Sequence, residues 1–99
     1  MSYRYVYDPV ALTEYKDAIG WYLERSELAA EGFVKEVTEQ LAVICNEPFR
    51  FRNTYKYFRE ISLKKYPYYI VYLVDEVKKV VIVSSVYHHK RNPQKKYKK

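Results

Sequence analysis

Apolar and polar residues alternate near the start of the chain and then recur at helical spacing. The segment Tyr3–Tyr7 places three tyrosines at alternate positions, a period of two that predicts a short strand. Asp8 and Pro9 then predict a helix start, because the carboxylate can accept from unpaired backbone N–H groups and a proline at the first helical position gives up a donor that has no partner. Apolar residues follow every three or four positions, which predicts a helix to about Leu23.

A second amphipathic helix is predicted after a polar link at residues 24–27. Ser26 is the expected cap of this helix, and Pro48 marks its end. Because the link is only about four residues long, the two helices are expected to run antiparallel as a hairpin. Gly20 and Gly32 lie inside the helices, where glycine costs about 1 kcal/mol relative to alanine, so we expect close packing at both.

The hydrophobic period changes to two in the C-terminal half. Residues 49–56 are basic and aromatic without a clear period, which predicts a loop. Further strands are predicted over residues 57–63, 68–74 and 77–87, with turns at 64–67 and 75–76. Turns this short join antiparallel neighbours, so these strands should form a three-strand antiparallel meander. The order of strand, helix hairpin and meander predicts an α+β fold with the helices packed on one face of the sheet.

Both faces of the predicted sheet carry apolar side chains. On the middle strand Ile70 and Tyr72 belong to one row, while Tyr69 and Val71 belong to the other. A small antiparallel sheet usually leaves one face polar. We therefore expect a partner to cover part of the face that lies away from the helices.

The composition is that of one small domain. The 99 residues suffice for a single core, expected over residues 1–92, and residues 93–99 are predicted to form a mobile basic tail. Cys45 is the only cysteine, so we expect a buried free thiol in a reducing compartment such as the cytoplasm. No apolar run approaches the length of a membrane span, and no membrane partner is expected.

The net charge of +6 is distributed unevenly along the chain. Residues 1–48 carry four basic and nine acidic side chains, a net charge of −5, whereas residues 49–99 carry fourteen basic and three acidic ones, a net charge of +11. This asymmetry predicts an acidic or polyanionic partner for the second half. The thirteen tyrosines add flat amphipathic surface that suits nucleic-acid and protein interfaces alike.

The sequence lacks the common catalytic motifs. Both glycines lie in predicted helices, which excludes a glycine-rich phosphate loop. Ser84 and Ser85 fall in the middle of a predicted strand, without the sharp turn that exposes a serine nucleophile. His88 and His89 are neighbours whose side chains should point to opposite sides of the sheet, so they cannot easily share a metal ion. We therefore expect neither a metal nor a small-molecule cofactor.

The remaining chemistry is a set of cations and aromatic residues around the predicted meander. Cations contact phosphates, and aromatic rings stack on bases. Arg59 shares a strand row with Ile61 and Leu63, so it should be partly desolvated and have either a carboxylate partner or an interface role. The candidate binding residues are Arg52, Arg59, Lys64, Lys65, Tyr69, Tyr87, His88 and Lys90.

An ordered set of segments resembles the RelE/ParE superfamily of bacterial type II toxin–antitoxin toxins. The resemblance runs from residue 3 to residue 93 and rests on the order of the segments, not on any one of them. The segments are YDPVA at 7–11, the pair Ala29-Ala30 with Leu41 and a closing Pro48, FREI at 58–61, YYIVY at 68–72 and VYHHKRNP at 86–93. The long helix hairpin resembles the ParE branch more than the RelE branch.

The resemblance implies a small basic cytoplasmic toxin, of the kind linked to plasmid stabilisation, that a cognate antitoxin wraps and neutralises. RelE-like members cut messenger RNA in the ribosome with cations on the sheet face and no metal, whereas ParE-like members are known for poisoning DNA gyrase. Three of the four RelE cations are replaced here, by Glu60, Ser62 and Tyr69, and the fourth falls near His89, with Arg91 two residues beyond. The resemblance therefore favours ParE-like inhibition of a target such as DNA gyrase.

Two alternatives remain open. In the first, the chain is a ribosome-dependent endoribonuclease in which Glu60 is the base and His89 the acid, with Arg59 and Arg91 completing the working group. Glu60 has no cation beside it on its own strand row, and its charge would repel a phosphate, which weakens this alternative. In the second, the chain is a non-toxic member that binds a partner or a nucleic acid.

Overall fold

The computed structural model describes residues 3–90, in which two helices and five strands follow one another along the chain. They are β1 (Arg4–Tyr7), α1 (Pro9–Leu23), α2 (Glu27–Asn46), β2 (Asn53–Tyr55), β3 (Phe58–Ser62), β4 (Tyr68–Asp75) and β5 (Val80–His88). The sheet order is β1-β5-β4-β3-β2. β1 runs parallel to β5, and the other neighbouring strands are antiparallel. The predicted α+β class and the antiparallel C-terminal strands are confirmed.

The helix hairpin begins and turns where its caps predict. The Asp8 carboxylate accepts a hydrogen bond from the Val10 N–H at 2.9 Å, and Pro9 opens α1. The Ser26 hydroxyl accepts from the Ala29 N–H at 3.1 Å. Each cap satisfies an N–H group that the first helical turn leaves without a partner. Both predicted cap positions are confirmed.

Two predicted boundaries in the C-terminal half are wrong. The segment predicted as a loop contains β2, an edge strand whose backbone pairs with β3 although its side chains are largely exposed. Side chains that face water on both sides of an edge strand show no alternation, so the hydrophobic pattern could not reveal it. The last strand begins at Val80 and not at Val77, because Val77 and Lys79 belong to the β4–β5 turn, where Lys79 has φ of 58°.

The expectation of close packing holds for one helical glycine only. At Gly32 a Cβ atom would overlap the Tyr66 hydroxyl, which donates to the Ala29 carbonyl at 2.7 Å. At Gly20 no atom lies within 4 Å of the position that a Cβ would take. The lack of a side chain at Gly32 therefore allows the β3–β4 connection to approach α2. At Gly20 there is no comparable contact with another element.

The core lies between the helix hairpin and one face of the sheet. Phe33 and Ile44 of α2 pack there with Ile70 and Val83 of the central strands, and all four side chains are fully buried. Cys45 is buried at the edge of this core as a free thiol, and burial raises its pKa. The row of β4 that contains Ile70 and Tyr72 faces the helices, and the row that contains Tyr69 and Val71 faces the other way.

Candidate functional site

Four of the predicted site residues lie together on the sheet face away from the helices. The strand register pairs Ser62 with Tyr69 and Tyr69 with Tyr87. His89 follows β5 directly, with its Nε2 atom 3.2 Å from the Ser62 hydroxyl and its ring 4.3 Å from the Tyr69 ring. Glu60 lies two residues before Ser62 on the same row of β3. We call these residues, Glu60, Ser62, Tyr69, Tyr87 and His89, the sheet-face cluster.

Backbone pairing around the β3–β4 connection positions the histidine of this cluster. The Leu63 N–H donates to the Tyr68 carbonyl, and the His89 N–H donates to the Pro67 carbonyl, both at 2.9 Å. The second bond continues the pairing of β5 for one residue beyond its end. The His89 side chain therefore lies beside β3 and β4, not in an unpaired tail.

Glu60 is a buried carboxylate with a cation beside it. Its side chain is 5% exposed, and its Oε2 atom lies 3.5 Å from Nη2 of Arg52. The Glu60 N–H also donates to the Arg52 carbonyl at 3.1 Å. On its own row of β3 Glu60 has no cation, as the sequence predicts. The cation is instead Arg52, which directly precedes β2. Because the hydrophobic pattern does not reveal β2 as a strand, it does not predict this contact.

Arg59 faces the opposite side of the sheet from Glu60. Its guanidinium donates to the carbonyls of Phe49 and Phe51, at 3.2 and 2.7 Å, and lies 5.2 Å from the centre of the Phe49 ring. Its partners are thus backbone carbonyls, whereas the sequence predicted a carboxylate or an interface role. The residue ties the chain between α2 and β2 to the sheet, and it does not adjoin the sheet-face cluster.

The side of the sheet on which Arg59 lies also contains a buried tyrosine, Tyr72 of β4, which is paired with Arg59. The Tyr72 hydroxyl donates to the Pro48 carbonyl at 2.7 Å, and its side chain is fully buried. Burial raises the pKa of Tyr72 to about 12, although the nearby Arg59 guanidinium opposes part of this rise. These contacts are part of the framework that holds the C-terminal end of α2 against the sheet.

The two neighbouring histidines point to opposite sides of the sheet, as the sequence predicts. The His88 ring lies 5.0 Å from the Tyr68 ring, on the helix side, and its Nδ1 atom accepts from the Lys90 N–H at 3.0 Å. His88 and Lys90 line a cleft of about 420 Å³ between α1 and the end of β5, together with Trp21. These two candidate residues therefore do not join the sheet-face cluster.

Lys64 and Lys65 lie at the β3–β4 connection beside α2. Their backbone N–H groups donate to the buried carboxylate of Glu36, which fixes the connection to the helix. Their side chains border a shallow cleft of about 360 Å³ over α2. Arg91 and the predicted tail lie outside the described residues.

The sheet-face cluster offers hydrogen-bonding and aromatic groups beside the ion pair of Glu60 and Arg52. His89 and Ser62 lie within hydrogen-bonding distance, and the rings of Tyr69 and His89 are in contact. Within residues 3–90, no three His, Cys, Asp or Glu side chains converge as a metal ion would require. Nor is either described helix long and apolar enough to cross a membrane. Glu60 and Tyr87 of the cluster are buried, whereas Ser62 and His89 are exposed.

The chain is similar to known toxins. The family model for the ParE toxin of the type II toxin–antitoxin system, parDE, matches residues 5–93. No curated protein sequence gives a significant match. Among solved structures, a chromosomal ParDE toxin–antitoxin system from P. aeruginosa has a TM-score of 0.73 at 13% identity, and the match covers 89% of this chain and 96% of that one.

Two structures from E. coli are also similar. A mutant of the toxin RelE in the free state has a TM-score of 0.67 at 22% identity, with 98% of this chain and 92% of that chain covered. The intact RelBE toxin–antitoxin complex has a TM-score of 0.56 at 27% identity, with 90% of this chain and 99% of that chain covered. Both matches place the chain in the same α+β fold.

Proposed function

The chain belongs to the ParE toxin family of type II toxin–antitoxin systems, and from this premise we propose that it inhibits a protein target, such as DNA gyrase, without cleaving RNA. The observation that carries the proposal is the pairing of Glu60 with Arg52 on the sheet face. A phosphate-cleaving site needs positive charge directed at the phosphate, where negative charge develops during the reaction. Here Arg52 lies beside a carboxylate of opposite charge.

The burial of Glu60 also argues against its use as a general base. A base must come within hydrogen-bonding reach of the hydroxyl that it deprotonates. Only 5% of the Glu60 side chain is exposed, so a ribose hydroxyl would have to displace the surrounding side chains to reach it. A protein partner, in contrast, can bind at the sheet-face cluster without any proton transfer.

A cognate antitoxin is part of the same proposal. The similar P. aeruginosa structure is described as a toxin–antitoxin system, and the E. coli RelBE structure is described as a toxin–antitoxin complex. The second half of this chain, with a net charge of +11, is suited to an acidic segment of such a partner. We place the pair in the bacterial cytoplasm, where gyrase and ribosomes are both found.

One observation favours the endoribonuclease alternative. His89 lies within hydrogen-bonding distance of Ser62 and packs against Tyr69, and histidine is the side chain that most often serves as a general acid. Such a group could protonate the leaving oxygen of a cleaved phosphodiester. The alternative therefore depends on His89, whereas the gyrase proposal requires no acid.

The test is controlled expression of the chain without an antitoxin, with two readouts in the same cells. We expect growth arrest, broken or relaxed DNA and intact messages. Messages cut on ribosomes, with cutting abolished by His89→Ala and by Glu60→Ala, would support the endoribonuclease instead. Continued growth with normal amounts of folded protein would contradict both toxin functions and leave the non-toxic binding role.

A further inference from the structure

The β2–β3 hairpin and the segment before it form a second surface with a distinct composition. Residues 49–59 contain five aromatic residues, four cations and no acidic residue. We call this segment the basic hairpin. Its aromatic members are Phe49, Phe51, Tyr55, Tyr57 and Phe58, and its cations are Arg50, Arg52, Lys56 and Arg59.

Several rings of the basic hairpin face water. Tyr57 is 82% exposed, and Tyr55 and Phe49 are each close to half exposed. Aromatic side chains of folded domains are usually buried to a much larger extent. The exposure of Tyr57 is therefore not explained by packing within the domain, and an exposed ring of this kind commonly serves a binding surface.

The turn that presents Tyr57 is held in an unusual conformation. Lys56 has φ of 50°, in the left-handed region that side chains other than glycine rarely adopt. The Asn53 side-chain amide donates to the Lys56 carbonyl at 2.9 Å and braces this turn. Strain of this kind persists only where the surroundings hold it. The turn therefore fixes where the Lys56 and Tyr57 side chains leave the hairpin.

Cations and rings alternate along the hairpin and contact one another. The Lys56 ammonium lies 5.4 Å from the centre of the Tyr55 ring, and the Arg50 guanidinium lies 5.2 Å from that of Phe51. The Tyr55 and Phe58 rings are nearly parallel, with 15° between their planes and 6.5 Å between their centres. The hairpin thus presents flat rings with positive charge beside them.

We propose that the basic hairpin binds single-stranded nucleic acid, with bases stacking on Tyr57 and Tyr55 and phosphates contacting Lys56 and Arg50. Exposed rings stack on any base, and adjacent cations neutralise the phosphates that connect the bases. Arg50 lies 3.1 Å from Glu47 in a pair that is exposed on both sides, and a phosphate can compete for such a pair at little cost. This proposal stands apart from the choice of toxin target.

An acidic protein surface is the other class of partner that cations could attract, but it accounts for less of the hairpin. Protein interfaces bury their aromatic anchors in pockets of the partner, whereas exposed rings flanked by cations match the repeat of base and phosphate in a single strand. Single-stranded DNA and RNA share this repeat of base and phosphate, so the experiment includes both.

The test is fluorescence anisotropy of the full chain with labelled oligothymidylate and oligouridylate of about 20 nucleotides, longer than one single-strand site. Tyr57→Ala should weaken binding at least about fivefold, because it removes one stacking ring. Lys56→Gln should lower the slope of log affinity against log salt by about 0.7, the value for one phosphate contact in a single strand. Tighter binding of one of the two oligonucleotides would identify the preferred nucleic acid, DNA or RNA.

Matched controls separate the hairpin from the charge of the whole chain. Lys78→Gln removes the same charge from the β4–β5 turn, and Trp21→Ala removes a half-exposed ring from α1. Both should bind like the original chain. The proposal is overturned if neither oligonucleotide binds at about 100 mM salt, where site-directed contacts persist, or if the controls weaken binding as much as the hairpin variants. A third titration uses labelled polyglutamate, an acidic polymer without bases, and the proposal is also overturned if Tyr57→Ala weakens binding of polyglutamate alone.

Discussion

The carboxylate of Glu60, on a side chain that is 5% exposed, lies 3.5 Å from the guanidinium of Arg52, on a side chain that is 76% exposed. A buried acid and a surface cation thus meet at the edge of the sheet. The contact joins β3 to the segment before β2, which also share a backbone hydrogen bond. It places opposite charges in the part of the sheet face where RNA cleavage would require positive charge directed at a phosphate.

Removal of Arg52 should destabilise the fold through Glu60. Arg52→Gln leaves a buried carboxylate without this cation, and we expect the free energy of unfolding in urea at pH 7 to fall by about 1–2 kcal/mol. The control is Arg50→Gln, which breaks the exposed pair with Glu47 and should cost less than about 1 kcal/mol. Equal losses in the two variants would show that the Glu60 pair has no special role.

The two helical glycines should respond in opposite directions to substitution by alanine. Gly32→Ala places a methyl group on the Tyr66 hydroxyl and should destabilise the protein by about 1–3 kcal/mol. Gly20→Ala meets open space and should stabilise α1 by about 0.5–1 kcal/mol. Thermal unfolding of both variants, followed by circular dichroism, checks the two signs. A stabilising Gly32→Ala would contradict the described contact with Tyr66.

The sequence predicts the α+β class, both helix caps and most strands, because these depend on local patterns. Hydrophobic spacing identifies α1, α2 and the buried strands, and short turns require antiparallel neighbours. β2 escapes prediction because an exposed edge strand is held by backbone hydrogen bonds to β3, which leave no periodic pattern. For the same reason the approach of Arg52 to Glu60 is not visible in the sequence.

The site is predictable only in part, because side-chain partners depend on contacts between distant segments. Alternation along β3 and β4 places Tyr69 and Glu60 on one face. It cannot show that His89 reaches Ser62, since that contact needs the bond from His89 to Pro67. Burial of Arg59 is predictable from its row, whereas its carbonyl partners come from a segment that was expected to be a loop.

The Glu36 carboxylate should control the mobility of the β3–β4 connection. Glu36→Gln exchanges a charged acceptor of two backbone N–H groups for a neutral one, and we expect a loss of about 1–2 kcal/mol in unfolding free energy. Amide exchange at Lys64 and Lys65 should become faster, while Glu39→Gln on the exposed side of α2 should leave it unchanged. Unchanged exchange in Glu36→Gln would contradict the anchoring role.

Stability should fall as pH rises above the ordinary tyrosine range. Burial raises the pKa of Tyr72 to about 12, so the unfolded chain loses this proton first, near pH 10. The native state therefore loses stability between about pH 10 and 12, by at most about 1.4 kcal/mol per pH unit for one group. Burial also raises the pKa of Tyr7 and Tyr15, which adds to the slope.

The variant Tyr72→Phe isolates the contribution of that group. It should lower stability by about 1 kcal/mol at pH 7, through loss of the hydrogen bond to Pro48. Between pH 9 and about pH 11.5, which spans ordinary tyrosine ionisation, its urea midpoint should fall less steeply than that of the original chain. Parallel curves would show that Tyr72 does not contribute to the alkaline loss.

The supercoiling reaction of purified DNA gyrase, titrated with the purified chain, tests the central claim most directly. We expect inhibition that is retained in His89→Ala, because the proposed activity is binding and not proton transfer. A matched ribosome and message reaction with the same preparation should yield no new RNA ends. Full gyrase activity, together with messages cut by the original chain and left intact by His89→Ala, would contradict the account.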